Sequence, residues 1–269
     1  MTITEDVLER VREVVAPEAW STQDATRTAM AHDASHYLLT PEAVFTPRNL
    51  GELTAGLVRA HRAGVPVTFR AGGTSLSGQG VGEGVLIDIR RHFDGFEVLD
   101  DGARVRCEPG VLLRRVNAAL APYGRRLGPD PASEIACTIG GVVANNSSGM
   151  TSGWAATAYY TMESAVFVLP SGTTIDTSRP DADVRLRDQE PALHEALGRI
   201  RDHIRSDEHL RGIVAHQFSM KNTMGYALNA FLDHEEPAQI LAHLIVGSEG
   251  TLAFLASVVL RTVPAYPQV

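Results

Sequence analysis

Apolar residues recur at helical spacing in three places and in short unbroken runs in several others. Val7, Val11, Val14 and Val15 predict a helix over residues 4–16 that stops before Pro17. Leu50, Leu53, Leu57 and Val58 predict a second over 50–63, opened by an Asn49…Glu52 cap and closed by Gly64. A third runs over 111–121 and ends at Pro122 and Gly124. The unbroken runs read as strands: 65–69, 85–89, 241–246 and 251–263. Phe96–Leu99 and Arg104–Cys107 flank Asp100-Asp101-Gly102, a tight-turn triplet, and predict a hairpin. The charged segment 179–190 reads as an exposed insertion. Helix, glycine, strand and loop in succession indicate an α/β architecture over residues 50–80.

Composition narrows what such a chain does. With 269 residues, 44% of them hydrophobic, it buries a sizeable core in one large or two small domains. A formal charge of −8 argues against nucleic acid or an anionic membrane surface as the main partner. No run approaches the ~18 apolar residues of a membrane span. The acidic, amphipathic start, M-T-I-T-E-D-V-L-E-R, is unlike a signal peptide, so a cytoplasmic location is expected. Cys107 and Cys137 are too few for a disulfide framework or an iron–sulfur site. His32 and His36 are four apart with no third ligand clustered nearby, so no metal site is expected.

Between the strands 65–69 and 85–89 lies R-A-G-G-T-S-L-S-G-Q, residues 70–79. Its glycines let backbone N–H groups turn toward a bulky anion, for which phosphate is the natural occupant; a flexible surface loop is the alternative. Gly73 and Gly78 have Walker spacing, but Gln79-Gly80 stand where Lys-Ser/Thr should follow. The run Gly80, Gly82, Gly84 leads into a strand and is no dinucleotide fingerprint. A second dense stretch, G-P-D-P-A-S-E-I-A-C-T-I-G-G-V-V-A-N-N-S-S-G, covers 128–149. It lies against a flat ring or a diphosphate, or is simply a glycine-rich turn opening a core helix at Val142. The third, G-S-E-G-T-L from Gly247, taken alone is an ordinary turn between two strands.

Order, spacing and wording of the three stretches together resemble the flavin-binding domain of the vanillyl-alcohol oxidase / p-cresol methylhydroxylase superfamily. The nearest resemblance is to its D-lactate, D-2-hydroxyglutarate and glycolate dehydrogenase branch. K-N-T-M-G-Y-A-L-N, residues 221–229, also resembles long members that carry a C-terminal iron–sulfur region. The resemblance implies an α+β fold of two subdomains with FAD between them, over residues 35–266. Residues 1–34 would form a helical lead-in, and 267–269 the start of a missing substrate cap.

By position, Arg70, Ala71, Gly72, Gly73, Thr74, Ser75, Leu76, Gly78 and Gln79 would wrap the FAD diphosphate. Pro129, Ser133, Cys137, Thr138, Ile139, Gly140, Gly141, Asn145, Ser148 and Gly149 would line the ribityl chain and ring, and Glu249 and Gly250 the adenine–ribose side. Many relatives attach flavin through a histidine, but here Thr74 follows Gly73 and neither long flavin stretch holds a histidine. FAD is therefore expected to bind non-covalently, with Cys137 the one candidate for a thioether and a small buried hydrophobe as its alternative role. The implied chemistry is oxidation of a small D-2-hydroxy acid by hydride transfer to flavin N5. The catalytic base and the carboxylate-binding arginines would come from the cap, and the electron acceptor is open. An NADPH-using reductase such as UDP-N-acetylenolpyruvoylglucosamine reductase, and a non-catalytic flavin module, remain as alternatives. An open flavin edge would favour self-association.

Overall fold

A computed structural model describes residues 5–265. The chain first builds a small four-stranded sheet. α1 (Glu5–Arg12) carries Val11 into the core, but it ends four residues before the periodicity does. The chain tightens there: Val14 and Val15 N–H reach Val11 and Arg12 carbonyls, and Ala16 N–H donates to the Glu52 carboxylate at 3.0 Å. Residue 4 of that expected helix lies outside the described residues. β1 (Trp20–Ser21), α2 (Asp24–Met30) and β2 (Ala43–Phe45) follow. α3 (Leu50–Arg62) has the expected cap, Asn49 Oδ1 accepting from Glu52 N–H at 2.9 Å, and it buries Leu53, Leu57 and Ala60. Gly64, at φ +67°, lets the chain leave the helix for β3 (Val67–Arg70).

β4 (Val85–Asp88) pairs parallel with both β2 and β3, giving the order β1-β2-β4-β3. That register decides what residues 71–84 must do. Parallel neighbours cannot be joined by a hairpin, so the segment leaves the end of β3 and runs back to the start of β4. A glycine-rich excursion is thereby hung between half-buried β3 and fully buried β4.

The second half is a six-stranded antiparallel sheet with helices packed on it. β5 (Phe96–Leu99) and β6 (Arg104–Cys107) form the expected hairpin, its turn held by positive φ at Asp100, Asp101 and Gly102. α4 (Leu113–Leu120) starts two residues late because Leu112 bridges to Thr138. β7 (Arg125–Leu127), α5 (Ile139–Asn145), α6 (Ala158–Thr161), β8 (Met162–Val168) and β9 (Thr174–Asp176) follow.

Two expectations are corrected beyond that point. The charged segment 179–190 is no exposed insertion: it contains α7 (Ala182–Gln189), whose Ala182 and Leu186, one turn apart, are buried. Asp183 fixes it, accepting from Ala238 N–H at 3.1 Å and pairing with His194 at 3.0 Å. After α8 (Pro191–Ser206), α9 (Glu208–Gln217) and α10 (Ala230–Asp233) comes α11 (Pro237–Ile245), so 241–246 is a helix end and not a strand. Every residue of α11 except Gln239 is buried, and an all-buried helix shows no period to separate it from a core strand.

β10 (Phe254–Pro264) pairs antiparallel with β6, β7 and β8 and stands between two cores. Phe254 and Ala256 belong to the first core, beside Phe45, Leu53 and Ile87; Leu255, Val258 and Leu260 belong to the second. A register shift between Leu255 and Ser257 lets one strand serve both. No helix among the described residues is long and apolar enough to cross a membrane.

Candidate functional site

The three glycine stretches, 70–79, 128–149 and the one from Gly247, are far apart in sequence and converge on the seam between the two sheets. The approach is close enough that side chains are excluded. A Cβ on Gly72 would lie 2.5 Å from the Ala136 carbonyl and 3.0 Å from Cys137 Cα, so the first loop touches the second stretch backbone to backbone. Gly141 lies more loosely against the Ala71 side chain, a Cβ there coming within 3.3 Å of Ala71 Cβ, and Gly140 packs on Pro109. The third stretch docks on the end of α5: Gly247 and Glu249 N–H donate to Val143 and Ala144 carbonyls at 3.1 and 2.8 Å. Asn145 Nδ2 donates to the Glu249 carboxylate at 2.8 Å, and burial raises that carboxyl above its ordinary range while the amide partly offsets it.

They enclose a cavity of about 520 Å³, within the size range of cofactor sites. All of the expected site residues line it except four. Gly78 and Arg70 lie outside the lining, Arg70 turning its guanidinium to the carbonyls of Gly80 and His32 at 2.9 and 2.7 Å. Pro129 and Ile139 are buried and also outside it.

Two kinds of surface meet in the cavity. Phe69, Ile89, Val142, Ile245, Phe254 and Leu255 supply apolar walls, and the Phe69 and Phe254 rings are 5.2 Å apart. Thr74, Ser75, Ser77, Ser133, Thr138, Ser147, Ser148 and Ser248 supply hydroxyls. Thr138 Oγ1 and Ser248 Oγ are buried without any hydrogen-bond partner, which leaves donors and acceptors for a ligand. A long molecule with a flat apolar ring and a polar, anionic middle suits this division.

Electrostatics and thiol chemistry fit the same reading. No histidine among the described residues lines the cavity. Cys137 does, but burial pushes its thiol up and Ser133 only partly opposes the shift, so the neutral form dominates. A neutral thiol is a poor nucleophile toward a ring. Cys107, packed in the second core, is pushed up to about 12 by burial alone. No group of three or more His, Cys, Asp or Glu side chains among the described residues is arranged to hold a metal ion.

Sequence reasoning did not reach Phe69, Pro109, Thr223, Ser248 and Phe254, all of which line the cavity. Ser248 was within reach, since it lies inside G-S-E-G. Thr223 belongs to K-N-T-M-G-Y, whose Lys221 (the lone lysine of the chain) donates to the Gly149 carbonyl. The two phenylalanines carried no signal beyond strand periodicity.

Known proteins match this arrangement. The family described as an FAD binding domain matches residues 41–178. D-2-hydroxyglutarate dehydrogenase of Escherichia coli (strain K12) is 30% identical over 243 residues, covering 87% of this chain and 24% of the relative. D-lactate dehydrogenase of Archaeoglobus fulgidus is 30% identical over 261 residues, 96% of this chain and 46% of that one. The chain thus spans about a quarter to a half of the length of these relatives. Among solved structures, alkyldihydroxyacetonephosphate synthase superposes with a TM-score of 0.62 at 18% identity, over 100% of this chain and 40% of that one. At such identity the likeness shows the fold, the two-subdomain α+β fold expected.

Proposed function

From the premise that the chain belongs to the FAD-binding domain family, we propose that it is the flavin-holding part of a dehydrogenase that oxidises a small D-2-hydroxy acid. FAD is the cofactor of the family, and the cavity at the seam is where this reading seats it. The observation that carries the proposal is the convergence of three glycine stretches on a cavity with apolar walls, hydroxyls and two orphaned buried hydroxyl oxygens.

In this reading residues 71–79 hold the diphosphate through backbone N–H groups and the Thr74 hydroxyl, which demands no γ-phosphate clamp and no magnesium. Thr138, Gly140, Gly141, Ser148 and Gly149 lie along the ribityl chain and ring, and Glu249 and Gly250 at the adenosine end. Phe69, Phe254 and Leu255 keep water from the apolar part of the cofactor. When bound, FAD would supply a two-electron acceptor for the hydride of a hydroxy-acid substrate, at N5 in this reading. The neutral thiol of Cys137 and the lack of a histidine in the lining support a non-covalent attachment. The groups that bind the substrate carboxylate and take its hydroxyl proton are assigned to a cap outside this chain. Leu76, Ile135 and Met150 stand exposed on or next to lining segments, an apolar surface that favours self-association.

Anaerobic mixing of the flavin-loaded full-length protein with D- and L-lactate, D- and L-2-hydroxyglutarate and glycolate tests the substrate class. The proposal expects fast bleaching of the oxidised flavin band by a D-hydroxy acid. Bleaching by NADPH alone would replace it with the reductase reading.

A further inference from the structure

We propose that residues 31–38, together with Arg70, form a strap that holds the glycine loop in the shape a diphosphate requires, and that Arg70 is a positioning residue acting through that loop. The inference rests on the reading of residues 71–79 as the diphosphate cradle.

A loop rich in glycine loses more conformational freedom on ordering than any other, and it has few side chains with which to hold itself. Inside the loop Ser75 Oγ bonds to Gln79 Oε1 and accepts from Ser77 N–H; the remaining restraint comes from a stretch nearly forty residues earlier in the chain. Ala34 N–H donates to the Gly73 carbonyl at 3.0 Å. Asp33 Oδ2 accepts from Gly80 N–H at 3.3 Å, while its Oδ1 accepts from Ser35 N–H at 2.8 Å. The Tyr37 ring packs on the face of Gly78 where a Cβ would stand, 2.5 Å from Cδ2. The strap closes on itself through the His32–Leu38 bridge and the bond from Leu39 N–H to the Ala31 carbonyl at 2.9 Å. Start, apex and end of the loop are therefore each tied to one segment.

Arg70 joins the two. It is 6% exposed, and its guanidinium donates to His32 O on the strap at 2.7 Å and to Gly80 O on the loop at 2.9 Å. Gly80 is thus held on both sides of its backbone, by Asp33 at N–H and by Arg70 at C=O. The guanidinium also fills the space beside Gly73, where a Cβ would come within 2.7 Å of Nη2.

The bond from Ala34 has a directional consequence. In a trans peptide the C=O and the following N–H point opposite ways. With the Gly73 carbonyl facing the strap, Thr74 N–H faces away from it, and both residues line the cavity. The strap thereby aims a donor at the ligand. Arg70 places a guanidinium beneath the same loop; burial and Arg90 lower its pKa, the Asp33 and Asp88 carboxylates oppose that, and the group keeps its proton.

The test separates the diphosphate from the ring. Flavin fluorescence titrations of the apoprotein give dissociation constants for FAD and for riboflavin, which has no diphosphate, in wild type, Arg70→Gln, Arg70→Lys and Asp33→Ala. Circular dichroism monitors the fold. Loss of two charge-assisted bonds is expected to weaken FAD binding by about ten- to a hundredfold in Arg70→Gln, with riboflavin within about twofold of wild type. Asp33→Ala follows the same pattern more mildly, and Arg70→Lys recovers part of the loss. Should Arg70→Gln not fold, Asp33→Ala alone decides. FAD binding unchanged in the folded variants, or FAD and riboflavin weakened equally, would overturn the strap. A wild-type protein that binds no FAD would overturn the flavin reading instead.

Discussion

Two glycines at nearly the same positive φ give a test of how the loop is built. Gly64 has φ +67° with nothing within 4 Å of where its Cβ would be; Gly73 has φ +68° with the Arg70 guanidinium 2.7–2.8 Å away. Alanine at either position pays the same left-handed penalty, about 1–2 kcal/mol. Only at residue 73 does it also push on Arg70. That side chain is pinned to His32 O and Gly80 O, and each charge-assisted bond it gives up is worth about 1.5–3 kcal/mol. Gly64→Ala should therefore cost about 1–2 kcal/mol, and Gly73→Ala about 3 kcal/mol or more, with Gly73→Ala alone weakening FAD binding. Urea unfolding of the apoproteins at unchanged m-value gives the stabilities, and flavin titration the affinities. Equal losses at the two sites would refute the claim that Arg70 is held rigidly beneath the loop.

Further outcomes follow from elements away from the cavity. Gly198 in α8 and Gly212 in α9 are helical with open space at Cβ, so alanine at each should add about 0.5–1 kcal/mol in thermal or urea unfolding. Asn49→Ala removes the α3 cap and should cost about 1 kcal/mol by the same assay. His243, its ring centroid 3.8 Å from that of His234 and tilted to it, is held down to about 4 by burial and by that neighbour. Its folded value lies below the unfolded one, so the unfolded chain takes the proton first; stability is full above about pH 6.5 and falls toward pH 4, by at most about 3 kcal/mol. His243→Gln should flatten that slope in unfolding curves taken across the window, and an unchanged slope would remove His243 as its source.

The local grammar of the chain was legible wherever one face of an element meets water. α3 with its Asn49 cap and Gly64 stop, and the β5–β6 hairpin with its Asp-Asp-Gly turn, lie where spacing put them because capping and turn chemistry are local. α11 was misread as a strand because burial on every side erases the period, and Pro237 at its first turn was the only local signal. α7 was misread for the opposite reason: its charges dominate the pattern, while two small contacts, Ala182 and Leu186, decide its packing. The site divided in the same way. Glycine and hydroxyl positions were readable from motif wording, since close backbone approach restricts residue choice. Phe69 and Phe254 were not, because a ring in a cavity wall and a ring in a core leave the same trace in sequence. The strap at 31–38 acts in part through its backbone at Ala34 and His32, which no side-chain pattern announces.

The central claim, a domain that holds FAD without a covalent bond, is tested most directly by the purified protein's visible spectrum followed by acid precipitation. The account predicts an oxidised flavin spectrum at about one flavin per chain, with all the colour released to the supernatant and chromatographing as FAD. Colour kept on the pellet would contradict the non-covalent claim and implicate Cys137. FMN in the supernatant, or a colourless protein that takes up no added FAD, would contradict the reading of the glycine loop as a diphosphate cradle.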